Sequence, residues 1–518
     1  MMLKKLYNNL PNIFIAIITI LYILLALLRH YHFMTYGYDL GIYDQQVWLY
    51  SQFQNPFITI EYKSALLNHF SPSLALFAPL YWIWNNPQVL LIVQALMVGL
   101  SAIPLDILAK RKQFPIYLRT MLIISYLLFY GYQFAINYDV HSVVFGTALI
   151  PWLLLCLEDR KYKKAAALLL IILGMKESFP ITITLVGIVY FLKGRRRLGA
   201  ALVAISLSFL FLALKVIQPI IEHFTHESYR FSSSYPHSIQ DAFMQLINSP
   251  KKLEVWRLSF LWYAFIPLAA PITVIAAIGD IAFYFILGNN HPETLSIYMH
   301  YRSSLAPLLA WATIDGCTNI HSKFTQNKKY IYPVITLMLF SSFCFIQYSY
   351  HLPLNSLSKP YLYQFNNDIN DKNELLKKVP PNIPIAAQNN LIPRLSARKE
   401  IHLLWPYKER NGYLRFPICK PALIEAMQGL NHNRKKLNDT CTEPKISSPC
   451  GAERCFILQF HENADYLVTD VTPGQNAVEL LMENEHKLKE GLTNLEKTGM
   501  ITLQVQVGDA QLWKVNRY

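Results

Sequence analysis

The sequence predicts an α-helical polytopic membrane protein of about eleven spans, followed by a C-terminal extracytoplasmic α/β domain. Three observations carry this. The 518 residues are 53% hydrophobic and only 15% charged, with a mean hydropathy of +0.23, too apolar for one soluble domain. The basic residues fall in short clusters between apolar runs. From about His351 onward the chain becomes polar and alternates strand-like with helix-like segments. The division is therefore expected at residues 1–350, transmembrane with functional outer loops, and 351–518, soluble.

The clusters Lys4-Lys5, Lys110-Arg111-Lys112, Arg160 to Lys164, Lys193 to Arg197 and Lys323 to Lys329 account for much of the formal charge of +14. Their placement matches the positive-inside rule, because cytoplasmic loops retain Lys and Arg during insertion. No basic patch lies within a soluble module, which argues against nucleic-acid binding. Lys4-Lys5 before an apolar run resembles a signal peptide, yet Leu28-Arg29-His30-Tyr31 follows without a small-x-small site, so an uncleaved first span is expected.

With the basic loops fixed inside, the spans follow in order at roughly twenty residues each, shorter broken helices allowed. Ile13–Leu28 goes out, Val89–Ala109 returns, Ile116–Ala135 goes out and Val143–Leu157 returns. Ala165–Met175 and Ile181–Leu192 read as a short hairpin or as one long tilted span, with Lys176-Glu177-Ser178 at the centre arguing for a break. Leu198–Ile217 leads outward, Leu258–Ile275 and Ala276–Leu287 form a hairpin, Leu305–Ile320 returns and Ile331–Tyr348 goes out. Ser73–Trp84 is apolar but short, and its Tyr81-Trp82-Ile83-Trp84 end suits an interfacial helix.

In the C-terminal third, Asn366 to Lys378 and Ala477 to Lys497 read as helices. Ile383 to Ala387, Cys455 to Phe460, Tyr466 to Thr469, Ile501 to Val507 and Gln511 to Val515 read as strands. Cys419, Cys441, Cys450 and Cys455 all fall here. Four cysteines in an oxidising compartment suggest two disulfides, with three connectivities open. A zinc site is the alternative, but no C-x-x-C pair supports it. Asn438-Asp439-Thr440 matches a glycosylation sequon.

Charged groups near membrane depth are costly, so each asks for a reason. The run Tyr36-Gly37-Tyr38-Asp39-Leu40-Gly41-Ile42-Tyr43-Asp44 places two carboxylates just past the first span. Either Asp39 or Asp44 could take the proton of an acceptor hydroxyl as that oxygen attacks an activated sugar carbon. The alternative is an Asx turn or a helix cap, with Gly41 setting the bend. Asp39 lies closest to the membrane exit. His69, before Ser71-Pro72, could contact a phosphate or orient a carboxylate. Asp139 and His141 could bind a metal or orient a pyrophosphate, or form an ordinary polar turn. Lys176 and Glu177 form either a substrate site or a helix-packing pair. Arg302 could neutralise a phosphate, since guanidinium matches its geometry, or snorkel to the headgroups. A divalent cation is compatible with these acids, but no set of residues fixes one. No P-loop, GxGxxG or HExxH occurs. An outward-facing enzyme without a nucleotide site needs a donor carrying its own energy, such as a sugar on a polyprenyl phosphate. Such a donor would sit in the lipid bilayer.

Tyr38-Asp39-Leu40-Gly41-Ile42-Tyr43-Asp44-Gln45, His69-Phe70-Ser71-Pro72, Tyr138-Asp139-Val140-His141 and Lys176-Glu177 resemble, in this order, the motifs of a family of prokaryotic polytopic membrane proteins. Ile385-Ala386-Ala387-Gln388, Pro393-Arg394-Leu395-Ser396 and Ala464 to Asp470 are similar to that family's C-terminal part. The family in turn resembles the GT-C superfamily of glycosyltransferases, which includes protein mannosyltransferases and aminoarabinose transferases. The resemblance implies an inverting transfer from a polyprenyl-linked sugar at the outer face of a prokaryotic plasma membrane. It makes Asp39 the base and Asp139 the second-loop acid, contacting acceptor or metal. The adjacent Asp-Glu pair of many members is absent here. The acceptor is left open among lipid, glycan and protein. Two other classes stay open: a transporter or flippase of lipid-linked glycans using Lys176 and Glu177, and a cell-envelope scaffold.

Overall fold

The computed structural model describes residues 7–226, 229, 238–287, 292–324, 328–404, 413–416, 458–461, 463–473, 485–497 and 499–516. The chain divides into two compact units, neither contiguous in sequence. The first comprises Met1–Leu28, Ser64–Phe77 and Gln88–Leu362; the second comprises Arg29–Lys63, Ala78–Pro87 and Tyr363–Tyr518. The last crossing from the first unit to the second lies between Leu362 and Tyr363. Residues of the first loop, however, group with the C-terminal part.

The first unit is helical. Among the described residues, Leu10–Tyr31, Gln88–Arg111, Arg196–Thr225 and Lys329–Tyr350 are long and apolar enough to cross a membrane. Only 17% of the most apolar window of Arg196–Thr225 is buried, so side chains such as Phe211 face outward. A bare apolar helix face of that length suits lipid and not water. Shorter apolar helices are Ser142–Glu158, Phe179–Leu192 and Ile275–Ile286. Phe179–Leu192 and Arg196–Leu212 approach closely because Gly187 and Gly199 meet: a Cβ on Gly199 would lie 2.4 Å from the Phe191 backbone nitrogen. Small residues at such a crossing are a membrane packing device.

Several helices are broken where the sequence supplies a cause. The expected Ala165–Leu192 hairpin is present as Tyr162–Leu173 and Phe179–Leu192, interrupted at Lys176-Glu177. Ile116–Leu127 stops before Tyr130–Asn137 begins. The expected span Leu258–Ile275 is not one helix. Pro250–Trp262 ends, Ala264 and Phe265 adopt positive φ, and a short 3₁₀ turn Ile266–Ala269 follows. Pro267 and Pro271 lack the amide hydrogens a continuous helix requires.

Three expected inner loops meet at one end of this unit. Arg111 pairs with Asp159 at 2.5 Å, Lys161 with the same carboxylate at 2.7 Å, and Arg195 with Glu158 at 3.2 Å. Lys193 pairs with Asp315. Helix Ser142–Glu158 carries His141 at its other end. Its 17 residues separate the two ends by about 25 Å at 1.5 Å per residue.

The second unit contains a five-stranded sheet: β1 (Ile385–Ala387), β2 (Ile401–Leu403), β3 (Tyr466–Asp470), β4 (Ile501–Val507) and β5 (Ala510–Val515), ordered β2-β1-β3-β5-β4. β1 runs parallel to both β2 and β3, and the remaining pairs are antiparallel. Helix Glu485–Lys497 places Leu488, Leu492 and Leu495 at helical spacing against Leu467, Ile501 and Trp513. Helix Asn367–Lys378 fits its expected range; β2 and the strand Tyr413–Phe416 are additions. Cys419, Cys441, Cys450, Cys455, the Asn438 sequon and the start of the expected helix at Ala477 lie outside the described residues.

Candidate active site

The turn bearing Asp39 is built on the carboxyl end of β1. Gly37–Gly41 forms one π-helical turn that passes directly into helix Ile42–Ser51. Immediately after β1, Asn389 clamps the turn: its carbonyl accepts the Gly37 N–H at 2.8 Å, and its side-chain oxygen accepts the Tyr38 N–H at 3.2 Å. The Gly41 N–H donates to Tyr36 O at 3.1 Å. Asp39 is half-buried on this turn. Crevices at the carboxyl ends of parallel strands are where α/β sheets present ligand-contacting loops.

Gly37 and Gly41 lie one turn apart and both face Ile392. A Cβ on Gly37 would stand 2.9 Å from Ile392 Cβ, and one on Gly41 would stand 2.8 Å from Ile392 Cγ2. The glycines are there for close approach. Gly37→Ala should displace the Ile392 segment and cost about 1–3 kcal/mol, read as a lower Tm in detergent and faster protease nicking of the first loop. A Tm equal to wild type would remove this packing account.

Asp44 has a different position. It is 0% exposed, with Tyr81 Oη donating to Oδ1 at 2.5 Å and Ser396 Oγ to Oδ2 at 2.7 Å. Burial pushes its carboxyl up to about 7, against the downward pull of those two hydrogen bonds. The carboxylate thus joins helix Ile42–Ser51 to Ala78–Ile83 and to the turn after Ile392. Gln45 extends the join: its amide donates to Thr59 Oγ1 at 2.8 Å and accepts from the Thr59 N–H at 3.1 Å. Thr59 Oγ1 donates to Ile401 O at 2.7 Å, fixing β2. Arg394 crowns the C-terminus of the first helix by donating to His30 O at 2.7 Å, with its guanidinium over the Phe33 ring. Burial lowers the Arg394 pKa to about 10.

A second polar cluster occupies the end of the helical unit opposite the basic loops. His69 Nδ1 donates to Glu177 Oε1 at 2.9 Å, and the Phe70 N–H donates to Oε2 at 3.0 Å. Burial acts to raise the Glu177 carboxyl, but the charges of His69 and Lys176 and the His69 hydrogen bond hold it at about 2. Lys176 is buried, 5.3 Å from the Tyr301 ring centroid. His141 stacks on His300 with centroids 3.6 Å apart. Burial lowers His141 to about 3, with the Tyr138 carbonyl opposing and Lys176 and His69 adding to the shift, so both rings of the stack are neutral. Gln94 holds this loop by donating to Asp139 O at 2.7 Å and accepting the His141 N–H at 2.9 Å, which supports the left-handed Asp139 backbone (φ 68°).

The structure therefore brings His69 together with Glu177, and His141 together with His300. Arg302 is fully buried between the Tyr284 and Phe285 rings and donates to the Thr294 and Ser296 carbonyls. Those two hydrogen bonds serve its own loop, and its full burial does not fit the snorkelling reading. Among the described residues no group of three or more His, Cys, Asp or Glu side chains is set to hold a metal. His141 Nε2 donates to Tyr138 O at 2.6 Å. Tyr81, Gln94, Asp280, His300 and Asn389 carry no signal in the sequence that marks them. Asp280 accepts from Thr182 at 2.8 Å and from Ser304 at 2.6 Å. Ser396 and Arg394 belong to a segment already singled out by resemblance.

A family model described as "Predicted membrane protein (DUF2079)" matches residues 29–426. No curated protein matches the sequence. Among solved structures, the crystal structure of ArnT from Cupriavidus metallidurans in the apo state is similar at 12% identity and a TM-score of 0.45, covering 95% of this chain and 97% of that one.

Proposed function

This chain belongs to the DUF2079 family of predicted membrane proteins, and from that premise we propose that it is an integral-membrane glycosyltransferase. It moves a sugar from a polyprenyl-phosphate-linked donor to a lipid, glycan or protein acceptor at the outer face of a prokaryotic plasma membrane. The observation that carries the reading is the contrast between the two first-loop acids. Asp44 spends both oxygens on buried hydroxyls, whereas Asp39 is half-buried on a turn fixed by Asn389. Asp39 is accordingly the base and Asp44 a positioning residue. The acceptor oxygen attacks the anomeric carbon as its proton passes to the Asp39 carboxylate, and the carbon–oxygen bond to phosphate breaks with inversion. The electron pair leaves with the polyprenyl phosphate.

Lys176, buried beside the ionised Glu177, is the cation proposed to face the donor's phosphate, with His69 orienting Glu177. Asp139 and His141 are proposed as polar walls of the same cluster. Basic loops at the opposite end of the helical unit support its placement toward the outer face. Purified protein in nanodiscs, given a radiolabelled polyprenyl-phosphate sugar and a membrane-lipid extract, should transfer label to acceptor. Donor crossing the bilayer intact, with no new glycosidic bond, would favour the second reading, a flippase. That reading rests on Lys176 and Glu177 interrupting two apolar helices.

A further inference from the structure

The second unit contains a cleft of ≈ 480 Å³ that none of the chemistry above uses. It opens between the 49–62 segment and β2, beside Thr59 and Lys399, both hydrogen-bonded to Gln45, and that volume is typical of small-molecule sites. Its lining combines two features. Phe57 and Tyr62, an edge-to-face pair with centroids 5.3 Å apart, both contribute aromatic rings to the lining. Opposite chemistry comes from Lys399, Glu400, Gln54 and Asn463.

The charge pattern selects the ligand class. Lys399 and Glu400 cancel formally, and Glu400 is held below the ordinary carboxylate range chiefly by the neighbouring His402 ring, whose Nε2 lies 3.9 Å from its carboxylate. A wall of one ammonium, one carboxylate, the His402 imidazole and side-chain amides offers both donors and acceptors. An anion would meet the Glu400 carboxylate. A purely apolar ligand would leave the amides and the charged pair desolvated without partners. A polyhydroxylated ring satisfies the donors and acceptors together while its C–H face lies on the electron-rich face of Phe57 or Tyr62. Gln45 ties this cleft to the catalytic loop, since its amide also reaches the Arg398 and Lys399 carbonyls at 3.3 Å.

We infer that the cleft is a binding site for a neutral saccharide of one to three residues, the sugar portion of the acceptor. The acceptor role rests on the glycosyltransferase reading; saccharide binding does not. Full-length protein in nanodiscs is titrated with maltotriose, cellotriose, chitotriose and mannotriose, followed by saturation-transfer NMR. At least one should bind, and Glu400→Gln and Phe57→Ala should each weaken it tenfold or more. Glu400 is partly exposed, so Glu400→Gln leaves folding intact, which an unchanged Tm verifies. Asp39→Asn should bind the same saccharide with unchanged affinity. Absence of binding by all four sugars, displacement of the sugar by inorganic phosphate, or wild-type affinity in Glu400→Gln would each overturn the assignment. Loss of transfer in Asp39→Asn with binding retained supports both readings. Retained transfer in that variant strikes only the assignment of the base.

Discussion

Asp39→Asn should reduce sugar transfer by about 10²–10⁴-fold, the span general-base removal usually costs, with no change in Tm. Asparagine keeps the size and shape of the side chain and leaves the Asn389 clamp on Gly37 and Tyr38 untouched. What it removes is the capacity to accept a proton. The deficit should therefore appear in the chemical step, as a lower kcat with a nearly constant KM for donor. Single-turnover transfer at saturating donor measures it. Activity within tenfold of wild type in a well-folded Asp39→Asn protein would mean that another group takes the proton.

The second large effect concerns Asp44 and is one of stability. Its folded carboxyl titrates at about 7, against an ordinary value of 3.8, because it is buried. A raised carboxyl pKa means the folded state holds the proton more tightly than the unfolded chain. The associated stability is complete below pH 4, is lost as pH rises through 7, and is constant above that. Three pH units correspond to about 4 kcal/mol, an upper figure for so buried a group. Thermal stability in detergent should fall between about pH 4 and 7 in wild type, and the part due to Asp44 should vanish in Asp44→Asn. Asp44→Ala should do worse at every pH, because the Tyr81 and Ser396 hydroxyls lose their acceptor inside the protein, at about 2–5 kcal/mol. Parallel melting curves for wild type and Asp44→Asn across this range would exclude the proposed titration.

Much of this architecture is legible from local chemistry. Apolar runs mark the helices, Lys176-Glu177 marks the break between Tyr162–Leu173 and Phe179–Leu192, and the alternation in Ile501–Val507 marks an edge strand. Leu258–Ile275 misleads because its hydropathy outweighs the signal of Pro267 and Pro271. The strand Ile401–Leu403 is buried throughout and three residues long, so no periodicity betrays it. The site is less legible than the fold. That Asp44 is a joint depends on Ser396, 352 positions further along, and no spacing rule reaches so far. The convergence of His69 on Glu177, 108 positions apart, is likewise a property of packing, although both residues stand out as charges beside apolar helices.

The clamp between Asn389 and Tyr38 closes a separation of 351 residues. During translation at about 5–20 residues per second, the first loop must wait roughly 20–70 s for the segment that completes it. Throughout that interval Tyr36–Gln46 has neither the Asn389 clamp nor the Ser396 partner. The first-loop turn therefore reaches its folded form only once the last third of the chain has emerged.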